Sequence, residues 1–194
     1  MDNSADRRSD LLVAVAPLVA GTAIGVATNS GGQWWYRLLS KPSWTPPAWV
    51  FGPVWTVLYL LQGIALVQVL RAGRRRADDR KVNVFGTEHD LAEVSPTDTE
   101  IGAPSRAADR VRPAVAAFGL QFALNLAWSV IFFGQRAPKW AALELAGLLA
   151  ALWATFFAFA RVRLSAALLL LPYLAWSTFA GLLNVDVVRR NPRA

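Results

Sequence analysis

The sequence predicts an all-α membrane protein, a five-transmembrane-helix antiparallel bundle, on three observations. Hydrophobic residues make up 55% of the chain and charged residues 17%, a balance too apolar for an ordinary soluble domain. The charges gather mainly at the ends of long apolar runs rather than along them. Five such runs, at about 11–28, 46–70, 113–134, 138–160 and 164–188, are long enough to cross a bilayer as helices, within a single domain filling 1–194.

The first run, Leu11 to Thr28, carries no charge and is followed by Asn29, Ser30, Gly31 and Gly32, which can stop a helix. A signal peptide is the rival reading. It is disfavoured because the run is long for such a segment, Asp2, Asp6 and Asp10 dilute the basic start, and no small-x-small cleavage site follows. Gly21 and Gly25 give this helix a small face for close packing.

Between the first and second runs lies a stretch rich in Trp and Pro, from Trp34 to Trp55. Proline fixes φ, so the stretch should hold a defined shape. Indole and phenol rings prefer places where one end is dry and the other wet. The expectation is a rigid lid at the membrane surface, carried by Trp35, Lys41, Pro42, Trp44, Pro46 and Pro47. It feeds a second helix capped by Thr45, with Pro46 and Pro47 in the first turn, where a missing N–H costs nothing. Arg71, Arg74, Arg75 and Arg76 mark the membrane exit, and the polar segment 73–112 reads as a disordered connection. His89, the single histidine, falls there and reads as solvated.

The third, fourth and fifth runs are joined by the short turns 135–137 and 161–163, which force antiparallel neighbours. Most of the 20 Lys and Arg sit at the N-terminus, in the 71–112 connection and in the 161–163 turn. The positive-inside rule therefore places the N-terminus in the cytoplasm and the lid and C-terminus outside. The net charge of +7 does not signal nucleic acid, because no basic face with interleaved aromatics accompanies it. With no cysteine, disulfides and thiolate metal sites are excluded within the chain.

On the third run Gln121, Asn125, Trp128 and Phe132 recur at helical spacing, and Gly119, Ala123 and Ala127 form a smooth stripe nearly opposite. The first stripe suits a bundle interior; the second suits another helix or a second subunit, a homodimer face. Trp55, Tyr59 and Gln62 share a stripe on the second run, as do Tyr173, Trp176, Ser177, Ala180 and Asn184 on the fifth. At about 1.5 Å per residue, Trp55, Asn125 and Trp176 all fall roughly 13 to 18 Å below the lid side. They can meet in one pocket, although amides can also serve as interhelical glue, and physics alone leaves the two readings level. Trp34, Trp49 and Trp140, near run ends with Trp35 and Trp44, read as interface belt or lid packing. Glu144 lies where a helix N-terminus steadies a carboxylate, with a proton relay as the sharper alternative. Lys139 and Arg136 read as head-group residues. No phosphate loop, nucleophile elbow, metal-ligand cluster or transporter-like repeat is present in the sequence.

Specific residues then carry a resemblance. Trp35-Tyr36, Lys41-Pro42-Ser43-Trp44-Thr45-Pro46-Pro47, Gly52, Trp55, Asn125, Pro172-Tyr173-Leu174-Ala175-Trp176, Phe179-Ala180 and Leu183-Asn184 together resemble the tryptophan-rich sensory protein/translocator protein family (TspO/MBR, peripheral-type benzodiazepine receptor-like). The resemblance covers all five runs in order. It implies a five-helix bundle, often dimeric, that binds porphyrins and other flat hydrophobic ligands beneath the first loop. Pocket roles for Trp55, Asn125 and Trp176, with Ala180 on the fifth helix and Tyr36 on the lid, are what it implies. Tyr59, Gln121, Trp128 and Tyr173 complete the candidate ligand-contact set by sharing the inward stripes.

Two features depart from the family pattern. The polar connection between the second and third runs is longer than the family's usual short loop. The sterol motif of animal members is missing after Tyr173, where the next basic residue is Arg189, although Arg112, Phe118 and Leu120 satisfy the reversed pattern. The expected function is binding of a porphyrin, tetrapyrrole or haem-pathway intermediate for sensing, regulation or transport, with no cofactor or metal required and membrane lipid as the other partner. Two alternatives stand beside it. One is a light-dependent porphyrin-degrading enzyme in which Trp55 and Trp176 act as redox partners; the other is a scaffold whose cavity holds only lipid.

Overall fold

The computed structural model of the chain describes residues 3–86 and 108–192. The helices are α1 (Asn3–Leu38), α2 (Ala48–Gly86), α3 (Ala108–Ser129), α4 (Pro138–Val162), the short α5 (Leu164–Leu168) and α6 (Leu171–Arg190). A π-helical turn, Val130–Gly134, follows α3. Five stretches among the described residues are long and apolar enough to span a membrane: Asp6–Thr28, Ala48–Arg75, Arg110–Gly134, Pro138–Val162 and Leu164–Arg190. Helices are the expected solution, because hydrocarbon offers no partner to an unpaired backbone group. The chain is thus an integral, multi-pass, all-α protein.

Helix ends differ from the sequence expectation in four places. Asn29 to Gly32 does not stop α1, which runs on through Trp34, Trp35 and Tyr36 to Leu38. Gly32 is there for close approach, since a Cβ on it would lie 2.8 Å from Cβ of Phe133. Thr45 does not cap α2; its hydroxyl donates back to the Pro42 carbonyl at 2.8 Å, and the helix starts three residues later. The connection expected over 73–112 is helical at both ends, because α2 continues to Gly86 and α3 begins at Ala108, ahead of Pro113. Leaving the bilayer does not end a helix built from Ala, Arg and Lys, all good helix formers. Residues 87–107, with His89, lie outside the described residues.

The fourth difference is the fifth span, which is two helices. Pro172 lacks the N–H that would bond the Leu168 carbonyl, and α5 ends at Leu168. The chain passes through Leu169 and Leu170 by a tighter bond, Leu170 N–H to the Ala167 carbonyl at 2.9 Å, before α6 resumes.

Helix α1 lies close on α2. A Cβ at Gly63 would sit 1.9 Å from the Ala14 carbonyl oxygen, and one at Gly21 would sit 2.2 Å from the Tyr59 ring. Only glycine permits these approaches. Gly25, expected on the same packing face, has no atom within 4 Å of where its Cβ would be. Near the start of α1, buried Asp10 accepts from Arg71 Nε at 2.6 Å and also from Arg74, tying the first helix to the end of the second span.

Apolar side chains gather at three levels. Phe118, Phe159, Val162 and Leu170 fill the Arg71 end. Leu58, Leu152, Tyr173 and Leu174, with Trp55 and Trp176 against them, fill the middle. Leu39, Phe132, Ala141 and Val187, with Trp35, Tyr36 and Trp128, fill the loop end.

Candidate ligand cavity

The loop between α1 and α2 is held from three sides. Lys41 Nζ donates to the carbonyls of Tyr36 (2.8 Å), Leu39 (3.3 Å) and Arg37 (3.4 Å), closing the end of α1, and lies 4.7 Å over the Tyr36 ring. Ser40 and Asn191 bond reciprocally: Ser40 N–H donates to Asn191 Oδ1 at 3.0 Å, and Asn191 Nδ2 donates to the Ser40 carbonyl at 2.9 Å. Lys139 Nζ donates to the Pro192 carbonyl at 2.6 Å, binding α4 to the same C-terminal stretch. The indole of Trp44 meets Phe179 edge-on at 5.6 Å, Phe179 meets Trp176 at 5.3 Å, and Trp176 meets Phe51 at 5.8 Å. An aromatic chain therefore runs from the loop into the bundle.

Beneath it lies a small cavity of about 10 Å³, walled by Trp55, Asn125, Trp128, Leu145, Leu148, Ser177 and Ala180. That is room for about one water, whereas sites for drug-sized ligands span roughly 300–1,000 Å³. Asn125 is buried and accepts from the Tyr59 hydroxyl at 2.9 Å, while the Tyr59 ring stacks on Trp55 at 5.3 Å. Ser177 Oγ and the Tyr173 hydroxyl, one turn apart on α6, are buried, with each other and Asn125 as their polar neighbours and no well-formed hydrogen bond among them. A polar group held this way costs free energy until something bonds it.

Four of the expected contact residues, Trp55, Asn125, Trp128 and Ala180, form the cavity wall. Four others surround it at one remove. Tyr59 is bonded to Asn125. Gln121, one turn from Asn125, donates to Gln62 Oε1 at 3.0 Å. Tyr173 packs edge-on against Trp55 at 6.0 Å. Trp176 joins the same apolar cluster from the loop side. Tyr36 lies elsewhere, against Phe132 and Phe133 at the end of α1, and burial pushes its phenol above the usual range, so that it stays neutral.

Sequence reasoning gave Leu145, Leu148 and Ser177 no role in the pocket. Ser177 carried a signal, a hydroxyl on the inward stripe of the fifth run; the two leucines carry none that separates a cavity wall from ordinary core. Asn184, buried near the end of α6, bonds α4 once its amide is turned to match its neighbours, donating to the Pro138 carbonyl (3.2 Å) and accepting from Ala142 N–H (3.1 Å). The small stripe on α3 is open over its first part: Gly119 and Ala123 are exposed, Ala127 is half-buried, and no atom lies within 4 Å of a Cβ placed on Gly119. Both Glu144 oxygens are buried without a partner. Among the described residues, no group of three His, Asp or Glu could hold a metal ion.

A family model described as TspO/MBR family matches residues 13–190. The chain is 35% identical over 175 residues to the tryptophan-rich protein TspO of Chlorobaculum tepidum, covering 90% of each. It is 33% identical over 186 residues to the tryptophan-rich protein TspO of Archaeoglobus fulgidus, covering 94% of this chain and 99% of that one. Against the translocator protein of Homo sapiens it is 37% identical over 163 residues, covering 82% of this chain and 76% of the other.

Proposed function

Because the chain belongs to the TspO/MBR family, we propose that it binds a planar hydrophobic ligand, a porphyrin or similar tetrapyrrole, within the bundle. The binding serves sensing, regulation or transport. The observation that carries this reading is the meeting of Trp55, Trp128, Asn125 and Ser177 at one cavity under a clamped loop. Indole faces suit a flat aromatic ligand, and the few buried polar groups of Asn125 and Ser177 give it an orientation.

The cavity is far too small for such a ligand as it stands, so binding requires the helices to part. The ring chain from Trp44 through Phe179 to Trp176 is the mechanical link by which loop and cavity open together. On opening, Trp176, Tyr59, Tyr173 and Gln121 join the ligand contacts; Tyr36 steadies the loop. The copies pair as a homodimer through Gly119, Ala123 and Ala127, in an antiparallel bundle whose N-terminus is cytoplasmic and whose loop and C-terminus lie outside.

Saturable quenching of tryptophan fluorescence by a porphyrin tests the binding. Wild type should saturate, with Asn125→Ala and Trp55→Phe weakening affinity about tenfold, the loss of one good buried polar or stacking contact. Quenching that never saturates, or that all variants share, leaves only a lipid-filled cavity. Illuminating the complex distinguishes binding from degradation: a Soret band lost in wild type and kept in Trp55→Phe or Trp176→Phe would make the protein an enzyme. As the chain has no cysteine, single substitutions at Ala123 and Ser43 report dimer crosslinking and loop sidedness without background.

A further inference from the structure

A second cleft, of about 240 Å³, opens between α2 and the α4–α5 turn, lined by Ala72, Arg75, Val162 and Arg163. We propose that it binds the phosphate head group of an anionic phospholipid. This site is separate from the aromatic cavity and does not depend on what that cavity holds.

Position is the first reason. The second span ends at Arg75, the fourth at Val162, and the fifth starts at Leu164. All four lining residues therefore sit at the boundary between hydrocarbon and water, where lipid phosphates lie. A basic pocket between spanning helices at that depth is the chemistry that retains acidic head groups.

Charge is the second. Asp10 takes up Arg71 and Arg74. Among the residues whose side chains are described, neither Arg75 nor Arg163 has a carboxylate partner. A guanidinium fork matches a phosphate in two parallel hydrogen bonds. The contact of Gly73 with Val111 brings the start of α3, with Arg110, beside the same end and adds to the positive field.

Preorganisation is the third. Arg163 Nε donates to Ser165 Oγ at 2.8 Å, and that hydroxyl donates to Gln68 Oε1 at 2.7 Å. The chain of bonds anchors Arg163 through its Nε and leaves the two terminal nitrogens for a ligand. Gln68 and Ser165 are thus positioning residues.

Delipidated full-length protein in neutral detergent, titrated with phosphatidylglycerol or phosphatidylcholine and read by native mass spectrometry, tests this. One phosphatidylglycerol should be held roughly thirtyfold more tightly than phosphatidylcholine, the scale that two arginines facing an anionic head group provide. Arg75→Gln with Arg163→Gln should abolish the preference. Arg37→Gln with Arg189→Gln, removing equal charge at the loop end, should keep it. Gln68→Leu, which removes no charge, should reduce the preference about threefold, roughly the loss of one orienting hydrogen bond. Circular dichroism confirms that each variant is folded. Equal retention of both lipids by wild type, or a preference that survives the Arg75/Arg163 pair, overturns the proposal. Displacement of phosphatidylglycerol by millimolar inorganic phosphate also overturns it, by reassigning the cleft to a soluble anion.

Discussion

Ser40 and Asn191, 151 residues apart, exchange backbone and side-chain hydrogen bonds, so that the end of the last helix holds the first loop. A third bond, from Asn191 Nδ2 to the Val187 carbonyl at 2.8 Å, fixes the amide to its own helix. Asn191→Ala removes all three side-chain bonds while leaving the core untouched. Amides of residues 39–47 should then exchange with deuterium about tenfold faster, with α4 unchanged, since local opening is governed by local bonds.

The crossing of α1 and α2 leaves no space at Gly63 and ample space at Gly25. Gly63→Ala places a methyl group on the Ala14 carbonyl and should cost about 2 kcal/mol or more, the scale of overpacking in a rigid site. Gly25→Ala should be neutral or slightly stabilising, as it improves helix propensity. Thermal unfolding of the two variants in the same detergent compares them directly.

Tyr59 and Asn125 form the buried bond nearest the cavity. Tyr59→Phe leaves the Asn125 carbonyl without its donor and should lower stability by about 1–2 kcal/mol. If the ligand supplies a donor in its place, the variant recovers part of that loss when porphyrin is added. A shift in melting temperature on porphyrin addition that is larger in Tyr59→Phe than in wild type is the expected readout.

Glu144 hides both carboxylate oxygens without a hydrogen bond. An apolar replacement removes that burden, so Glu144→Leu should raise stability by about 1–3 kcal/mol, as relief of an unsatisfied buried polar group does. A fall in stability would show that Glu144 has a partner in the membrane, and would revive the proton-relay reading.

Much of the fold was legible because hydropathy marks a span regardless of its partners. The helix ends were not. Gly31-Gly32 reads as a stop by propensity, yet a helix continues where Phe133 packs on Gly32; tertiary contact outweighs a weak local preference. Arg71 and Arg74 were legible as charges near a membrane exit, but their pairing with Asp10, an acid that counted only against a signal peptide, depends on which helices touch. At the cavity, the shared depth of Trp55 and Asn125 was readable from helical rise. The placement of Trp176 beyond the wall was not, because its ring direction depends on the neighbours it meets, Phe51 of α2 and Phe179 of its own helix.

That break divides the labour of the last span. α5 opens the span with Arg163 at its foot, while Ser177 and Ala180 ride on α6, beyond a joint whose backbone ladder lacks the bond that Pro172 cannot make. A missing bond makes this joint the place where the span bends most readily, so opening at the cavity should be felt less at the Arg163 end. Pro172→Ala restores the missing N–H and welds the two pieces; porphyrin association should then slow about tenfold, if closing this backbone gap adds one bond to the opening barrier, while phosphatidylglycerol retention stays the same.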